Sequence, residues 1–449
     1  MNAATPVTVR FAPSPTGFLH VGNARTALQN QLLVLNEGGR FILRVDDTDR
    51  ERSEARFEDA IEADLAWLGF RVDAKVKQSD RFDLYAAAAA RLKEAGLLYP
   101  CYETGDELDR KRKIQRAQGQ PPVYDRAALG LSDEEKARLE AEGRTPHWRF
   151  KLSHEPVAWT DLVRGDSSIE TSSVSDPILI REDGSYLYTL PSVVDDIDLS
   201  ITHVIRGEDH VTNSGAQIEI FRALGAEPPT FAHTPLLVGA DGDKLSKRFG
   251  SLALHTFRER GIEPMALSSL LAKIGTSDPV EARGDLPTLA GEFDFAKIGR
   301  APARFDETDL TRLNAAILHD APYEHVKERL EALGVTGGAA FWEAARANVE
   351  TVADAADLWA VVAGPVTPVI EDAAFTTAAA ALVPDGPLGP ESWSAFVGAV
   401  KEQTGAKGKA LFMPLRLALT GRPHGPEMDK LFVLIGAEKA RARLRGETA

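Results

Sequence analysis

Three groups of residues have types and spacings suited to an anionic substrate. The first lies in residues 10–28, RFAPSPTGFLHVGNARTAL, where His20 and Gly22 follow a turn carrying Pro13, Pro15 and Gly17. A helix starting just after such a turn presents unpaired backbone N–H groups at the positive end of its dipole, which suits a phosphate. His20 can add a hydrogen bond to a phosphate oxygen, and Gly22 has no side chain to hold a nucleotide off the backbone. The second group is Lys244, Lys247 and Arg248 around Ser246, in a Gly-rich loop after an apolar run. Two lysines three residues apart act as separate point charges on several phosphate oxygens. That suits a reaction in which negative charge grows on a departing pyrophosphate, with Gly239, Gly242 and Gly250 letting the loop move. The third is Arg206, which ends the apolar run of residues 201–206. A guanidinium at the end of a buried strand needs an anion, and its planar fork grips a carboxylate in a way the corresponding amide cannot reproduce. Each group has a plainer alternative: a βα turn with a surface histidine, a basic surface turn, and a salt bridge from Arg206 to Glu208 or a nearby aspartate. No Ser-His-Asp or Cys-His arrangement stands out in the sequence.

For these groups to converge, strands must end where they begin. Residues 7–12 form a β-type run, and Val21, Ala24, Leu28, Leu32 and Leu35 then share one helical stripe. Residues 40–45 read as a second strand ending in Asp46-Asp47-Thr48-Asp49, and residues 52–68 as a helix closed by Gly69. Ser79-Asp80 is a plausible cap for a helix over residues 81–94. Strand, helix, strand, helix opens a parallel α/β sheet. From Tyr99 to about Leu190 the character changes, with a basic helical run (Arg110, Lys111, Arg112, Lys113, Arg116), a Pro121-Pro122 break and β-type pieces at 147–152 and 177–181. Asp183-Gly184 predicts a hairpin from the last of these to residues 186–190, and the whole reads as an inserted domain. The βα pattern resumes with a strand at 201–206, a helix at 213–224 and a strand at 234–238 before the lysine loop. Helical signal dominates from about Leu252, with breaks between bundles at 364–368 and 384–390.

At 449 residues the chain has room for about two to four domains. No apolar run approaches the ~20 residues needed to span a bilayer. Residues 1–8 show neither a basic start nor an apolar signal core, so a cytoplasmic protein without a membrane partner is expected. A single cysteine, Cys101, excludes an internal disulfide framework and an all-cysteine metal cluster. A formal charge of −15 argues against indiscriminate nucleic-acid binding, which needs clustered Lys and Arg. Local basic surface remains available: residues 351–400 hold six acids and no Lys or Arg, whereas residues 401–449 hold ten bases and five acids. That swing marks either a boundary or two different faces.

The wording PSPTGFLHVGNARTAL, together with DKLSKRFGS at 243–251, resembles the two signature motifs of class I aminoacyl-tRNA synthetases, and of the glutamyl branch in particular, where Asn23 replaces the second histidine of most of the class. The resemblance covers nearly the whole chain and implies an α/β fold: a Rossmann-type catalytic domain with an inserted α/β domain, followed by an all-α anticodon-binding region. It divides the chain into residues 1–100 (catalytic domain, first half), 101–187 (inserted acceptor-binding domain), 188–251 (second half with the lysine loop), 252–320 (helical stem-contact region) and 321–449 (anticodon-binding domains). It implies ATP-dependent activation of L-glutamate, with Mg2+, and transfer to tRNA(Glu), by a monomer; whether tRNA(Gln) is also charged is left open. By resemblance His20, Lys244 and Lys247 are catalytic. ATP meets Gly17, His20, Gly22, Glu208, Leu236, Lys244, Ser246 and Lys247. Glutamate meets Arg10, Ala12, Ser14, Asp46, Tyr188, Ser192 and Arg206, with Arg206 on its side-chain carboxylate.

This sequence departs from the family pattern in three places. Asp46 stands where relatives commonly have Glu, one methylene longer, at the position expected to hold the substrate ammonium; a reshaped site or a bridging water would close the gap. Ser192 stands where some relatives have Asn. Some members bind zinc through a Cys-x-Cys pair and a later Cys, but here the pair reads Cys101-Tyr102-Glu103 and YDRAA at 124–128 holds no cysteine, so no zinc is expected. The interleaved cations Lys407, Lys409, Arg416 and Arg422 resemble the anticodon-reading end of the bacterial family. Three rivals are a glutamyl-queuosine tRNA-modifying paralogue, which lacks the C-terminal bundle, a glutaminyl enzyme, which ends in β-barrels, and a non-catalytic tRNA-binding paralogue, against which His20, Lys244 and Lys247 all stand.

Overall fold

The computed structural model describes residues 6–243 and 252–449. Lys244, Ser246 and Lys247 therefore lie outside the described residues. The chain divides into two compact units, one of Met1–Arg258 with Ser268–Asp306, the other of Glu259–Leu267 with Glu307–Ala449.

In the first unit the described strands are β1 (Thr8–Phe11), β2 (Arg40–Val45), β3 (Ala74–Lys77), β4 (Leu98–Cys101), β5 (His147–Phe150), β6 (Pro156–Asp161), β7 (Gly165–Glu170), β8 (Ile178–Ile180), β9 (His203–Gly207), β10 (Thr230–Thr234), β11 (Leu237–Gly239) and β12 (Ala303–Phe305). The main sheet runs β3-β2-β1-β9-β10-β6-β7, parallel except for the β6–β7 hairpin. All four residues of β1 are buried, as a strand covered on both faces requires. The chain winds outward from β1 through β2 and β3, then returns to β1's other side as β9, so the order reverses between β1 and β9. Ligands of open α/β sheets bind beyond the carboxyl ends of the strands at such a reversal.

The opening helix, α1 (Val21–Glu37), buries Val21, Ala24, Leu28 and Leu32 as its stripe predicts, and Gly38 caps it with φ +71°. The helix α2 is shorter than expected, Ala55–Trp67. Ser79 does not cap α3 (Phe82–Glu94): its N–H and Oγ donate to the two oxygens of Asp47 (2.8 and 2.7 Å), and Arg81 stands at the N-cap without a side-chain bond to the helix backbone. The basic run is α4 (Gly105–Ala117), started by a Thr104–Glu107 capping box and followed by α5 (Asp133–Ala141). Residues 156–170, inside the expected insertion, instead form the hairpin at the edge of the main sheet, leaving β4-β5-β8 as a separate antiparallel sheet. The predicted second hairpin arm shrinks to one bridge, Ile180 to Tyr186, because the chain turns at once into α6 (Thr189–Asp198). After β9 comes α7 (Val211–Ala223), and the strand expected over 234–238 is split, since Pro235 has no N–H for a ladder and Leu236 leaves the sheet.

Beyond β12 no strand is described, and the second unit is helical from Tyr323–Ala332 to Ala437–Leu444. Trp342, Phe341, Phe396 and Phe432 are fully buried, and apolar residues from both sides of 364–368 and 384–390 join one core. Those breaks are connections within one bundle, so the charge swing does not mark a boundary between cores.

The start of β2 leaves no room for a side chain at Gly39, where an added Cβ would stand 2.2 Å from the Val7 carbonyl oxygen, which accepts the Arg40 N–H at 2.8 Å. Gly39→Ala should destabilise the protein by about 1–3 kcal/mol by forcing β1 and β2 apart. Chemical denaturation checks this against Gly38→Ala, which should cost about 1 kcal/mol through its left-handed φ alone.

Candidate functional site

His20 is the N-cap of α1. Its Nδ1 accepts the N–H groups of Gly22 (3.0 Å) and Asn23 (3.4 Å), while Asn23 Oδ1 accepts the His20 N–H at 3.1 Å. The imidazole is thus neutral with its proton on Nε2, and burial lowers its pKa in support. Nε2–H is the atom that can donate to an anion. The Gly22 requirement is local: a Cβ there would lie 2.8 Å from the His20 ring, whereas nothing stands within 4 Å of one at Gly17. Val21 N–H donates to Leu252 O (3.2 Å) and Leu254 N–H to Leu19 O (2.9 Å), so the segment after the lysine loop is tied to both sides of His20.

Beside this turn lies a buried charge cluster. Arg44, one residue from the end of β2, is fully buried and donates to Asp46 through Nε (2.7 Å) and Nη2 (3.1 Å), and to Asp196 Oδ1 through Nη1 (2.8 Å). Asp195 Oδ2 stands 3.8 Å away, and both Ser192 oxygens accept from Arg44 at 3.3 Å. Arg10 Nε, on β1, shares Asp196 Oδ1 at 3.1 Å. Burial alone would lower the Arg44 pKa; Asp46, Asp196 and Asp195 together hold it well above the usual value. Burial pushes the Asp46 carboxyl up to about 6 against the pull of Arg44 and Arg10. The backbone brings the proline loop to the same place, with Pro13 O accepting the Asp46 N–H at 3.0 Å; Ala12 is half-buried and Ser14 exposed.

Arg206 differs in kind. It is 5% exposed and makes no ion pair among the described residues. Its N–H groups donate to three neutral acceptors: Nη1 to Tyr188 Oη (3.2 Å), Nη2 to Ser214 Oγ (2.7 Å) and Nε to His233 Nε2 (3.2 Å). The expected alternative of a bridge to Glu208 is not made; Glu208 pairs with Arg164 at 3.0 Å and accepts the N–H of Leu236 at 3.4 Å. Burial lowers the Arg206 pKa, and although burial raises that of Tyr188, the charges of Arg206, Arg10 and Arg44 bring the phenol below its ordinary value. The sequence showed no Ser-His-Asp arrangement, yet the fold makes one: Ser214 Oγ lies 2.9 Å from His233 Nε2, and His233 Nδ1 2.6 Å from Asp161 Oδ2. All three are buried and Ser214 is spent on Arg206, so this is no nucleophile.

The inserted sheet carries a partial donor set for zinc. Donor atoms of Cys101, Glu103 and His147 lie within 4.8 Å of one another. Burial pushes the Cys101 thiol up to about 12 and the His147 imidazole down to about 4. The neighbouring Tyr124 hydroxyl donates to Glu103 at 2.8 Å. The set is one donor short of a tetrahedral site. The Arg149 guanidinium 4.2 Å over the Tyr124 ring and Lys111 Nζ 3.5 Å from Glu103 add positive charge there, so these residues do not fit a structural zinc.

Sequence reasoning missed Arg44, Asp161, Asp196, Ser214 and His233. Arg44 carried a usable signal: an arginine inside the apolar run RFILRV needs an anion as much as Arg206 does. The others had none, since partners such as Asp161 and His233, 72 residues apart, or Arg10 and Asp196, 186 apart, meet only in the folded chain.

Residues 6–312 match the family of class I tRNA synthetases (E and Q), catalytic domain, and residues 321–447 an anticodon binding domain. The chain is 62% identical to glutamate–tRNA ligase 1 of Maricaulis maris over 98% of this chain and 99% of that one. It is 58% identical to glutamate–tRNA ligase 2 of Methylorubrum populi over the full length of both. Among solved structures, the glutamate–tRNA synthetase of Elizabethkingia anophelis superposes with a TM-score of 0.86 at 27% identity, covering 98% of this chain and 99% of that one.

Removing one partner of the charge cluster leaves the others buried and uncompensated. Arg44→Leu should lower stability by about 3–5 kcal/mol, measured by denaturant unfolding, and adding Asp46→Leu should recover part of the loss.

Proposed function

The chain belongs to the class I tRNA synthetases of the E and Q type, and on that premise we propose that it activates L-glutamate with MgATP and transfers it to the 3′ end of tRNA(Glu). It is an aminoacyl-tRNA ligase of the glutamate–tRNA ligase kind. The observation that carries the substrate choice is Arg206, a buried guanidinium whose described partners are all neutral. A side-chain carboxylate completes it, and a carboxamide does not. Arg10 and Asp46 receive the other end of the amino acid, with the Asp46 carboxylate on the ammonium; Ser192 acts behind them by holding Arg44. Tyr188 bounds the side-chain pocket from Arg206, and Ala12 and Ser14 line the proline loop.

In the first step the glutamate α-carboxylate oxygen attacks the α-phosphorus of ATP, and the bond to the β-phosphate oxygen breaks, releasing pyrophosphate. We assign the nucleotide to Gly17, Gly22, His20 Nε2–H, the N-terminus of α1, Glu208 and Leu236, and its phosphates to Lys244, Ser246 and Lys247, which lie outside the described residues. In the second step the terminal ribose 2′-OH of the tRNA attacks the activated carbonyl and AMP leaves. Orientation and charge stabilisation supply the catalysis, without an enzyme nucleophile. We read the inserted domain as independent of zinc, the enzyme as a cytoplasmic monomer, and tRNA(Gln) as a second acceptor to be tested. No described helix is long and apolar enough to cross a membrane.

Lys247→Ala should abolish aminoacylation while tRNA binding persists, measured with purified tRNA(Glu) and tRNA(Gln) side by side; unchanged activity would sink the assignment. A separate pH effect follows from Asp46. Its carboxyl titrates at about 6, and the ammonium contact needs the carboxylate, so KM for glutamate should rise as pH falls through about 6. Asp46→Asn should raise KM at neutral pH and flatten that limb.

A further inference from the structure

Asp161 ends β6, His233 lies on β10 and Arg206 on β9, and the parallel registers pair Phe231 with Asp161 and His233 with Arg206. The sheet thus sets an acid, an imidazole and a guanidinium in a row. Asp161 Oδ1 accepts the backbone N–H groups of Val163 (3.0 Å), Arg164 (3.0 Å) and His233 (3.2 Å), and Oδ2 faces His233 Nδ1 at 2.6 Å. Every described partner of this carboxylate is a donor, so it is ionised, and His233 carries its proton on Nδ1. Nε2 is then an acceptor, and it takes Ser214 O–H (2.9 Å) and Arg206 Nε–H (3.2 Å).

We propose that Asp161 and His233 are positioning residues that set the open edge of Arg206, and so determine specificity for an amino acid with a side-chain carboxylate. The proposal rests on the reading of Arg206 as the receptor of that carboxylate. A guanidinium has five N–H bonds in a fixed fork. Tyr188, Ser214 and His233 take one each from Nη1, Nη2 and Nε, which leaves one on each terminal nitrogen. Those two remain for a substrate carboxylate, which can accept two N–H groups from one guanidinium. Phe231 backs the group, with the Arg206 guanidinium carbon 5.4 Å from its ring centre, and stacks against His233 at 5.8 Å. A direct Asp161–Arg206 ion pair would neutralise the receptor. An interposed neutral imidazole transmits the orientation and leaves the charge uncompensated for substrate. Were His233 in the other tautomer or doubly protonated, a donor would face Arg206 and the guanidinium would have to turn. The charged and titratable groups around His233 are Asp161 on β6, Arg164 after it, Arg206 on β9 and His210 before α7.

The test is steady-state aminoacylation by the full-length enzyme with glutamate or glutamine varied, with thermal melting and the KM for ATP as folding controls. His233→Phe, which removes both nitrogens, should raise the glutamate KM at least about tenfold, the size of one lost hydrogen bond to a charged group. Its kcat should change far less, and its preference for glutamate over glutamine should fall. His233→Gln, which keeps an acceptor near the Nε2 position, should recover most of the KM, and Asp161→Asn should resemble His233→Phe. Arg206→Gln in the same assay separates the two readings. If Arg206→Gln leaves the glutamate KM unchanged, the receptor reading itself fails. If it raises KM while a folded His233→Phe enzyme keeps the wild-type KM and preference, only the relay is overturned; equal losses of kcat in both His233 variants without a KM change also overturn it.

Discussion

The guanidinium of Arg44 holds the site together. It lies near the carboxyl end of β2, out of contact with water, and is surrounded by three aspartates from two places in the chain: Asp46 just beyond its own strand and Asp195–Asp196 on α6. Such a group is stable only while its anions are in place, because each buried charge left alone costs several kcal/mol, of order 3–5 when one partner is removed. The same aspartates reach further. Asp196 takes Arg10 from β1, and Asp195 takes Gln78, Arg81 and Tyr85 around the start of α3. Strands β1 and β2 and helices α3 and α6 are therefore fixed to one another by charge as well as by packing.

Two buried arginines in the same unit are satisfied in opposite ways. Arg44 is saturated with carboxylates, so it is structural and its pKa is raised; Arg206 is surrounded by a phenol, a hydroxyl and a neutral imidazole, and its pKa is lowered. Only the second has charge left for a ligand. The difference follows from the partner set rather than from burial, which the two share.

The first motif also changes meaning in three dimensions. His20 serves the helix before it serves any ligand, because its Nδ1 closes α1 and leaves the proton on Nε2. Gly22 makes room for that ring. The backbone bonds from residues 19–21 to residues 252–254 then place the end of the lysine loop beside it, a proximity across more than 200 positions of sequence.

Much was legible in the sequence because it depends on near neighbours. The period of Val21, Ala24, Leu28 and Leu32 specifies α1, the alternation of strands and helices specifies a parallel α/β sheet, and the helical pattern after Leu252 specifies a helical C-terminal bundle whose buried residues form one core. Motif wording singled out His20, Arg206 and the lysines as candidates. Tertiary structure alone decided which acids face which arginines, that residues 156–170 join the main sheet, that Ser79 binds Asp47 instead of capping α3, and that Ser214, His233 and Asp161 form a row. The physical reason is that local periodicity reports which face of an element is apolar, whereas the partner of a buried polar group is chosen by sheet order and register. These bring Asp161, Arg206 and His233 together only when β6, β9 and β10 lie side by side.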